Sequence, residues 1–323
     1  MTNEAKPRVV FSRCLGFEAC RYNGQVIRDR VVESIVPYVD PVTVCPEVAI
    51  GLGVPRKPIR LIEEDGDLAL LQPETGREVT TAMASFTEQF LDSLGDVDGF
   101  LLKYRSPSCG LTQVRVYNSR APQAGHRKGA GAFGGRVMER FGELAVEDEG
   151  RLQNYDIRQH FLTRLFAWVR FREAVASGKM ADLVTYHTSQ KLLLMAYNQT
   201  AMSTLGRIVA NADRLPFEQV IRAYREGLAT AFAKAPRRTN AINVLLHGLG
   251  YVSDGLSAAE KAFFLETLEQ YRARQAPLSV PTSLLRSWIV RFRVNYLLEQ
   301  TVFEPFPQEL VSVLDSGKGR DVG

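Results

Sequence analysis

Four cysteines, at positions 14, 20, 45 and 109, are the residues of this 323-residue chain best equipped for chemistry. Three of them close apolar runs. Val9-Val10-Phe11-Ser12 leads into Arg13-Cys14-Leu15-Gly16, residues 39–44 lead into Cys45-Pro46-Glu47, and residues 100–103 break into Ser106-Pro107-Ser108-Cys109-Gly110. Short apolar runs stopped by Pro and Gly are the pattern of buried strands. The three thiols are therefore expected at one edge of a sheet. So few cysteines in a long chain make no disulfide framework, and they suit metal ligation or catalysis better. Their spacing matches no compact ferredoxin run and contains no Cys-x-x-Cys. On spacing alone, a metal site and small buried thiols both stand.

The elements that must position these thiols alternate over the first half. Residues 28–36 read as a helix, 55–71 as an extended segment with a turn at 64–67, and 80–94 as a helix with Thr80 as N-cap. Phe100 to Lys103 is the central strand. Residues 129–135, Gly-Ala-Gly-Ala-Phe-Gly-Gly, open a helix that runs through Phe141. This glycine stretch lacks the Gly-Lys-Ser/Thr ending of a phosphate loop, so a tight loop before a helix is expected, lining the pocket, with Lys128 nearby. Strands separated by helices predict an α/β domain over 1–150, Rossmann-like, with a mostly parallel sheet whose sites lie beyond the carboxyl ends of its strands. From residue 151 to 323 only helical periodicity remains. It spans 155–177 with Gly178 as the stop, then 181–212, 216–235, 239–252, 257–273 and 281–298, and Ser257 to Glu260 has capping-box spacing. This half is expected to be all-α.

Composition bounds the setting. A hydrophobic content of 45% and a charged content of 24% are those of an ordinary globular protein. No apolar run reaches the ~18 residues of a membrane span. The first residues lack the pattern of a signal peptide, so a cytoplasmic location with reduced thiols is expected. The net charge of +4 is uneven: residues 1–150 carry 18 Lys and Arg against 21 Asp and Glu, and residues 151–323 carry 22 against 15. A basic second half points to a polyanionic partner. Nothing in the sequence sets an oligomeric state.

Several segments resemble known families. Residues 12–24 (SRCLGFEACRYNG), 43–56 (TVCPEVAIGLGVPR), 103–110 (KYRSPSCG) and the glycine stretch at 129–135 resemble the TudS-like thiouracil desulfidase domain in the same order. The second half resembles the YbgA-like helical domain through YHTSQKLLLMAYNQ, LGRIVAN, RRTNAINVLLHGLGY and PLSVPTSLLRSW. The fused arrangement resembles the RudS-type enzymes that convert 4-thiouridine in tRNA to uridine. The resemblance implies a [4Fe-4S] cluster bound by Cys14, Cys45 and Cys109, with the fourth iron open to a substrate sulfur. That open metal would polarise the C=S bond so that water replaces sulfur with no net redox change. It also implies Glu47 as proton handler, assisted by Ser106, the serine that opens the Ser-Pro-Ser-Cys motif, and Ser108 stands equally near. A carboxylate beside an anionic cluster is expected to hold its proton more tightly. Cys20 is left as a fourth ligand or a structural thiol, and Gly24 as a backbone requirement of its turn.

In the helical half, Lys191, Arg207, Arg237 and Arg238 are the expected tRNA contacts. The Arg237-Arg238 pair falls at a helix start, where free N–H groups also favour phosphate. His187, Gln190 and Asn198 extend the strip around Lys191, and Arg286, Arg291 and Arg293 extend the patch. His247 is expected as a satisfied core histidine.

Overall fold

The computed structural model describes residues 5–311 apart from 65 and 122. The chain divides into two compact units, Met1–Val169 with Glu309–Gly323, and Arg170–Gln308. Among the described residues no helix is long and apolar enough to cross a membrane.

The first unit is built on a four-stranded parallel sheet. Its strands β1 (Arg8–Ser12), β2 (Asp40–Val44), β6 (Gly99–Leu102) and β9 (Ala145–Asp148) lie in the order β2-β1-β6-β9. The two inner strands are covered on both faces. Val9, Val10 and Phe11 of β1 and Phe100, Leu101 and Leu102 of β6 are all fully buried, which is why both read as unbroken apolar runs rather than alternating ones. Truncating Phe100 to Ala here would cost about 3–5 kcal/mol. Asp29 caps α1 (Arg30–Ile35) by accepting from the Val31 and Val32 amides.

A second sheet, absent from the sequence reading, has the order β5-β4-β3-β7-β8. It comprises β3 (Arg60–Glu64), β4 (Asp67–Gln72), β5 (Arg77–Glu78), β7 (Val114–Tyr117) and β8 (His126–Gly129). Only β3 and β7 pair in parallel. Strand β8, His-Arg-Lys-Gly, is mostly exposed and carries no apolar alternation. Ion pairs tie the sheet instead, with Arg127 on Glu63 at 2.7 Å and Arg120 on Glu64 at 2.8 Å. The expected turn at 64–67 joins β3 to β4, and its residue Asp65 lies outside the described residues. Helix α3 (Thr80–Ser93) begins at Thr80, but Val79 is its N-cap; the Thr80 hydroxyl instead accepts the Leu70 amide of β4 at 2.9 Å. The short α2 (Pro46–Ala49) and α4 (Ala132–Phe141) complete the layer around the site.

Helix α5 (Tyr155–Ala176) ends before Gly178, whose φ of +69° only glycine adopts freely. The second unit is helical throughout its described residues. The stretch expected as one helix over 181–212 is two, α6 (Met180–Tyr197) and α7 (Gln199–Ala210). Asn198 breaks it by taking extended backbone and accepting the Ala201 amide as N-cap. Then come α8 (Phe217–Ala231), α9 (Arg238–Val252), α10 (Ala258–Arg272, with the expected capping box), α11 (Ser279–Phe292) and α12 (Asn295–Leu298). Residues 281–298 are split between α11 and α12 because Arg293 turns into the left-handed region, φ +51°. Leu192, Leu245, Phe264, Leu285 and Trp288 form the core of this unit.

Candidate iron–sulfur desulfidase site

The carboxyl ends of β1, β2 and β6 converge as the sequence requires. Cys14 follows β1 by two residues, Cys45 follows β2 directly, and Cys109 sits in the loop after β6. Two of these loops are tied together where they begin, because Ser12 Oγ accepts the Lys103 amide at 2.9 Å. All four cysteines are free thiols and all four line one cavity of about 370 Å³. Cys20 is fully buried, and its carbonyl accepts the Cys45 thiol at 3.8 Å.

The glycine stretch holds the Cys109 loop from behind. Amides at the start of α4 donate to that loop: Ala132 to the Pro107 carbonyl, and Phe133 and Gly134 to that of Ser108. Side chains cannot fit there. A Cβ on Gly131 would meet the Ser108 carbonyl oxygen at 2.4 Å, and one on Gly134 would meet that of Gly110 at 2.4 Å. The stretch and Lys128 do not line the cavity, contrary to expectation; Lys128 is exposed on β8. Gly24 has φ +72°, the backbone requirement expected of it.

Glu47 lies on α2, is 9% exposed, and divides its two oxygens between a hydroxyl and a cation. Ser108 Oγ donates to Oε1 at 2.7 Å. Arg56 donates to Oε2 through Nε at 2.8 Å and reaches it with Nη2 at 2.7 Å. The Arg56 side chain is only 4% exposed, and its Nη1 also donates to the Cys20 and Gly53 carbonyls. Ser106 stands one step further out. Its hydroxyl lies 2.9 Å from Ser108 Oγ and accepts the Cys109 amide at 3.1 Å. Ser108, not Ser106, touches Glu47. The sequence reading missed Arg56, although it stands inside the Val-Pro-Arg end of the second motif; its guanidinium meets the carboxylate that the reading had set against the cluster's negative charge alone.

Cys20, Cys45 and Cys109 hold their protons more tightly than a free thiol. Hydrogen bonding to Cys14, with burial behind it, pushes the Cys20 thiol up to about 11. The bond to Cys20, then burial, pushes Cys45 up as well. Burial foremost pushes Cys109 up to about 12. Metal would have to displace these protons on binding. Among the described residues no three His, Cys, Asp or Glu side chains form a single-ion site. Around one tetrahedral ion with bonds of ~2.3 Å, thiolates stand only ~4 Å apart. A cluster spreads its ligands over several irons. Soft thiols alone, ringing a partly enclosed cavity, are the donor set that iron–sulfur clusters take, so the residues present fit one.

In the helical unit, Lys191, Arg207, Arg237 and Arg238 are all exposed. Arg237 is the N-cap residue of α9 and Arg238 lies over the Tyr271 ring at 5.7 Å. The strip expected around Lys191 is not a surface. Gln190 is fully buried, Asn198 is a helix cap, and His187 is half-buried against the Tyr224 hydroxyl at 3.0 Å. Arg286 and Arg291 are engaged by Glu304 and Glu260. His247 is exposed, its ring against Tyr251 at a centroid distance of 5.6 Å, rather than in the core.

Comparisons with known proteins match two separate stretches of the chain. Residues 9–149 match the family described as 2-thiouracil desulfurase, and residues 191–307 match a protein family of unknown function, DUF1722. The uncharacterized protein YbgA of Escherichia coli (strain K12) is 24% identical over 168 residues, 51% of this chain and 98% of YbgA. The uncharacterized protein YbbK of Bacillus subtilis (strain 168) is 30% identical over 111 residues, 32% of this chain and 72% of YbbK. A solved [4Fe-4S]-dependent thiouracil desulfidase, TudS, is 30% identical, with 46% of this chain and 93% of that one covered and a TM-score of 0.36. The residues that bring the four thiols, Glu47 and Ser108 to one cavity all fall inside the first match, and through it the chain belongs to the 2-thiouracil desulfurase family, with a DUF1722 segment following.

Proposed function

We propose that the chain is an iron–sulfur-dependent desulfidase that converts 4-thiouridine in tRNA to uridine and releases sulfide. The observation that carries this reading is the Ser108–Glu47–Arg56 arrangement opening onto the same cavity as four cysteine thiols. Cys14, Cys45 and Cys109 would hold a [4Fe-4S] cluster, as the sequence likeness to TudS, described as [4Fe-4S]-dependent, supports. With three protein ligands, such a cluster supplies an open iron, a Lewis acid suited to a soft thiocarbonyl sulfur.

The reaction exchanges a thiocarbonyl and water for a carbonyl and hydrogen sulfide, and no electrons are gained or lost. Water must lose a proton as it adds to carbon, and sulfide must gain one as it leaves. Glu47 takes the first and returns it as the second, a general acid–base role worth about 10²–10⁴-fold. Arg56 fixes Oε2, so the proton travels by Oε1, which Ser108 touches and Ser106 extends. Lys191, Arg207, Arg237 and Arg238 would grip tRNA phosphates, a contribution that weakens steeply with salt. The thiolated base would have to leave its stack to be attacked.

The test is anaerobic cluster reconstitution, incubation with bulk tRNA, and nucleoside analysis. Loss of 4-thiouridine matched by uridine and sulfide supports the reading, and Cys14→Ala, Cys45→Ala and Cys109→Ala should each abolish both chromophore and turnover. An intact cluster that consumes only free thiouracil moves the substrate from tRNA to the base. A second reading draws on the place of Cys20 in the lining of the same cavity: four cysteines would close the cluster, leaving an RNA-binding or electron-transfer protein. Cys20→Ser decides between them, since under the first reading chromophore and turnover survive.

A further inference from the structure

Three cations of the second sheet stand in one row. Strand β7 pairs with β8 so that Arg115 lies directly opposite Lys128, and Tyr117 opposite His126. Opposite residues of an antiparallel pair share a face. On its other side β7 meets β3 in parallel, with Leu61 level with Val116, which sets Arg60 level with Arg115. The Arg60 guanidinium lies over the Tyr117 ring at 4.8 Å, so it belongs to that face too. Arg115 and Lys128 are exposed and Arg60 is half-buried. Neighbouring strands stand about 4.8 Å apart, so the row is roughly 10 Å wide.

The carboxylates of β3 do not answer these charges. Glu63 is held by Arg127, which pairs with buried Val116 and faces the other way. Glu64 is taken by Arg120 through two bonds of 2.8 Å. Arg60, Arg115 and Lys128 have no carboxylate in salt-bridge reach among the described residues. Like charges directly opposite each other weaken a ladder. A lysine on an edge strand guards against stray pairing, and β8 is an edge, which accounts for Lys128. Strands β7 and β3 are inner strands, so Arg115 and Arg60 need no such guard. Residues 1–150 are acidic as a whole, with 18 Lys and Arg against 21 Asp and Glu, so the row is not a general excess of positive charge. An anion lying across it would relieve the repulsion.

An RNA strand suits this face better than an acidic peptide. It carries one charge at each nucleotide, and its bases offer flat faces to rings. Tyr117 and the exposed His126 lie beside the cations, their ring centroids 5.7 Å apart. Tyr117 also supports the Arg60 guanidinium from one face, which leaves the N–H edge for a bidentate phosphate bond. None of the three cations lines the cysteine cavity, but Pro58 and Ile59 do, and Arg60 follows them as the first residue of β3.

We propose that Arg60, Arg115 and Lys128 form a phosphate-binding row with which the second sheet holds an RNA backbone. The proposal deepens the tRNA reading, on which it rests for its purpose, by giving the first unit a grip of its own.

The test is tRNA binding to the full-length, cluster-loaded protein, read by fluorescence anisotropy over a range of salt. Arg115→Gln with Lys128→Gln should make the slope of log K against log salt shallower by about 1.4–2 and weaken binding about tenfold or more at low salt. Arg115→Lys should keep most of the slope. Arg115→Glu sets an opposite charge against Lys128, so its melting temperature should equal or exceed that of the wild type while tRNA affinity falls; that combination separates lost binding from lost folding. An unchanged slope and affinity in the double Gln variant overturns the row. So does a loss confined to binding of phosphatidylserine vesicles, which would assign the cations to a membrane surface. Sulfide release keeps the two conclusions apart. A shallower slope with no sulfide from any thiolated compound defeats the desulfidase reading alone, whereas release from thiolated tRNA with an unchanged slope defeats the row alone.

Discussion

Glu47→Gln is the most informative single change, because it removes one charge and almost no volume. Gln keeps an acceptor for Ser108 Oγ but deprives Arg56 of its counter-charge. Both partners are nearly sealed from water, at 9% exposure for Glu47 and 4% for the Arg56 side chain. Breaking a buried pair from one side costs about 3–5 kcal/mol, chiefly because the other charge is stranded. Nη1 of Arg56 would keep the Cys20 and Gly53 carbonyls. The low end, about 3 kcal/mol, is therefore expected, and a melting temperature lower by about 6–12 °C in a unit of this size. Adding Arg56→Gln should recover part of the loss, the mark of a coupled pair. The chromophore should survive, because no thiol is touched, while sulfide release falls by about 10²–10⁴-fold. Thermal unfolding, the visible spectrum and sulfide release read the three effects separately. A Glu47→Gln enzyme working at the wild-type rate would refute the acid–base role, and one of unchanged stability would refute the buried pair.

Ser108→Ala should stop turnover with the chromophore intact, whereas Ser106→Ala should loosen the Cys109 loop and reduce cluster retention, because only Ser106 accepts the Cys109 amide; spectra and sulfide release distinguish the two. Gly134→Ala would drive a Cβ to 2.4 Å from the Gly110 carbonyl and 2.5 Å from that of Cys109, so a loss of about 1–3 kcal/mol in denaturant melts and a poorly held cluster are expected. Burial, with no partner on Oδ2, raises the Asp148 carboxyl to about 6. The folded state therefore holds this proton more tightly than the unfolded chain, and the stability it contributes is present near pH 4 and lost as pH rises through 6. His160, lowered to about 4 by burial, changes stability in the opposite sense over the same window, so urea melts of Asp148→Asn against wild type should differ more at pH 7 than at pH 4, by about 2–3 kcal/mol. Arg237→Glu with Arg238→Glu should weaken tRNA turnover while sparing free thiobase, and equal loss on both would remove these residues from RNA binding.

How much of this was legible depended on whether the information was local. The strands that deliver Cys14 and Cys109 are buried on both faces, so their composition announces them and their ends place the thiols, whereas β2, which delivers Cys45, is a partly exposed edge strand marked mainly by the proline that follows the cysteine. Strand β8 is an exposed edge held by its ladder to β7 and by pairs such as Arg127 with Glu63, 64 positions apart, and such contacts leave no period in the sequence. Asn198 sits where apolar residues continue on either side, so a helix cap was hidden inside what reads as one long helix. Spacing assigns a residue to an element, but it does not say which way that element faces, and for that reason His247 and Gln190 were exchanged between surface and core.

The same distinction bears on the chemistry. Proximity to Cys45 in the chain was enough to bring Glu47 to the site, but its usable oxygen is decided by Arg56, nine positions away, and by Ser108, sixty-one positions away. A carboxylate free at both oxygens could exchange protons with any water in the cavity. Held by a guanidinium on one side, it can do so only on the side that faces Ser108 and the thiols. Under the proposed desulfidase reading the cation gives a direction to the proton path, and the serine loop, fixed from behind by the glycines that open α4, determines where that path ends.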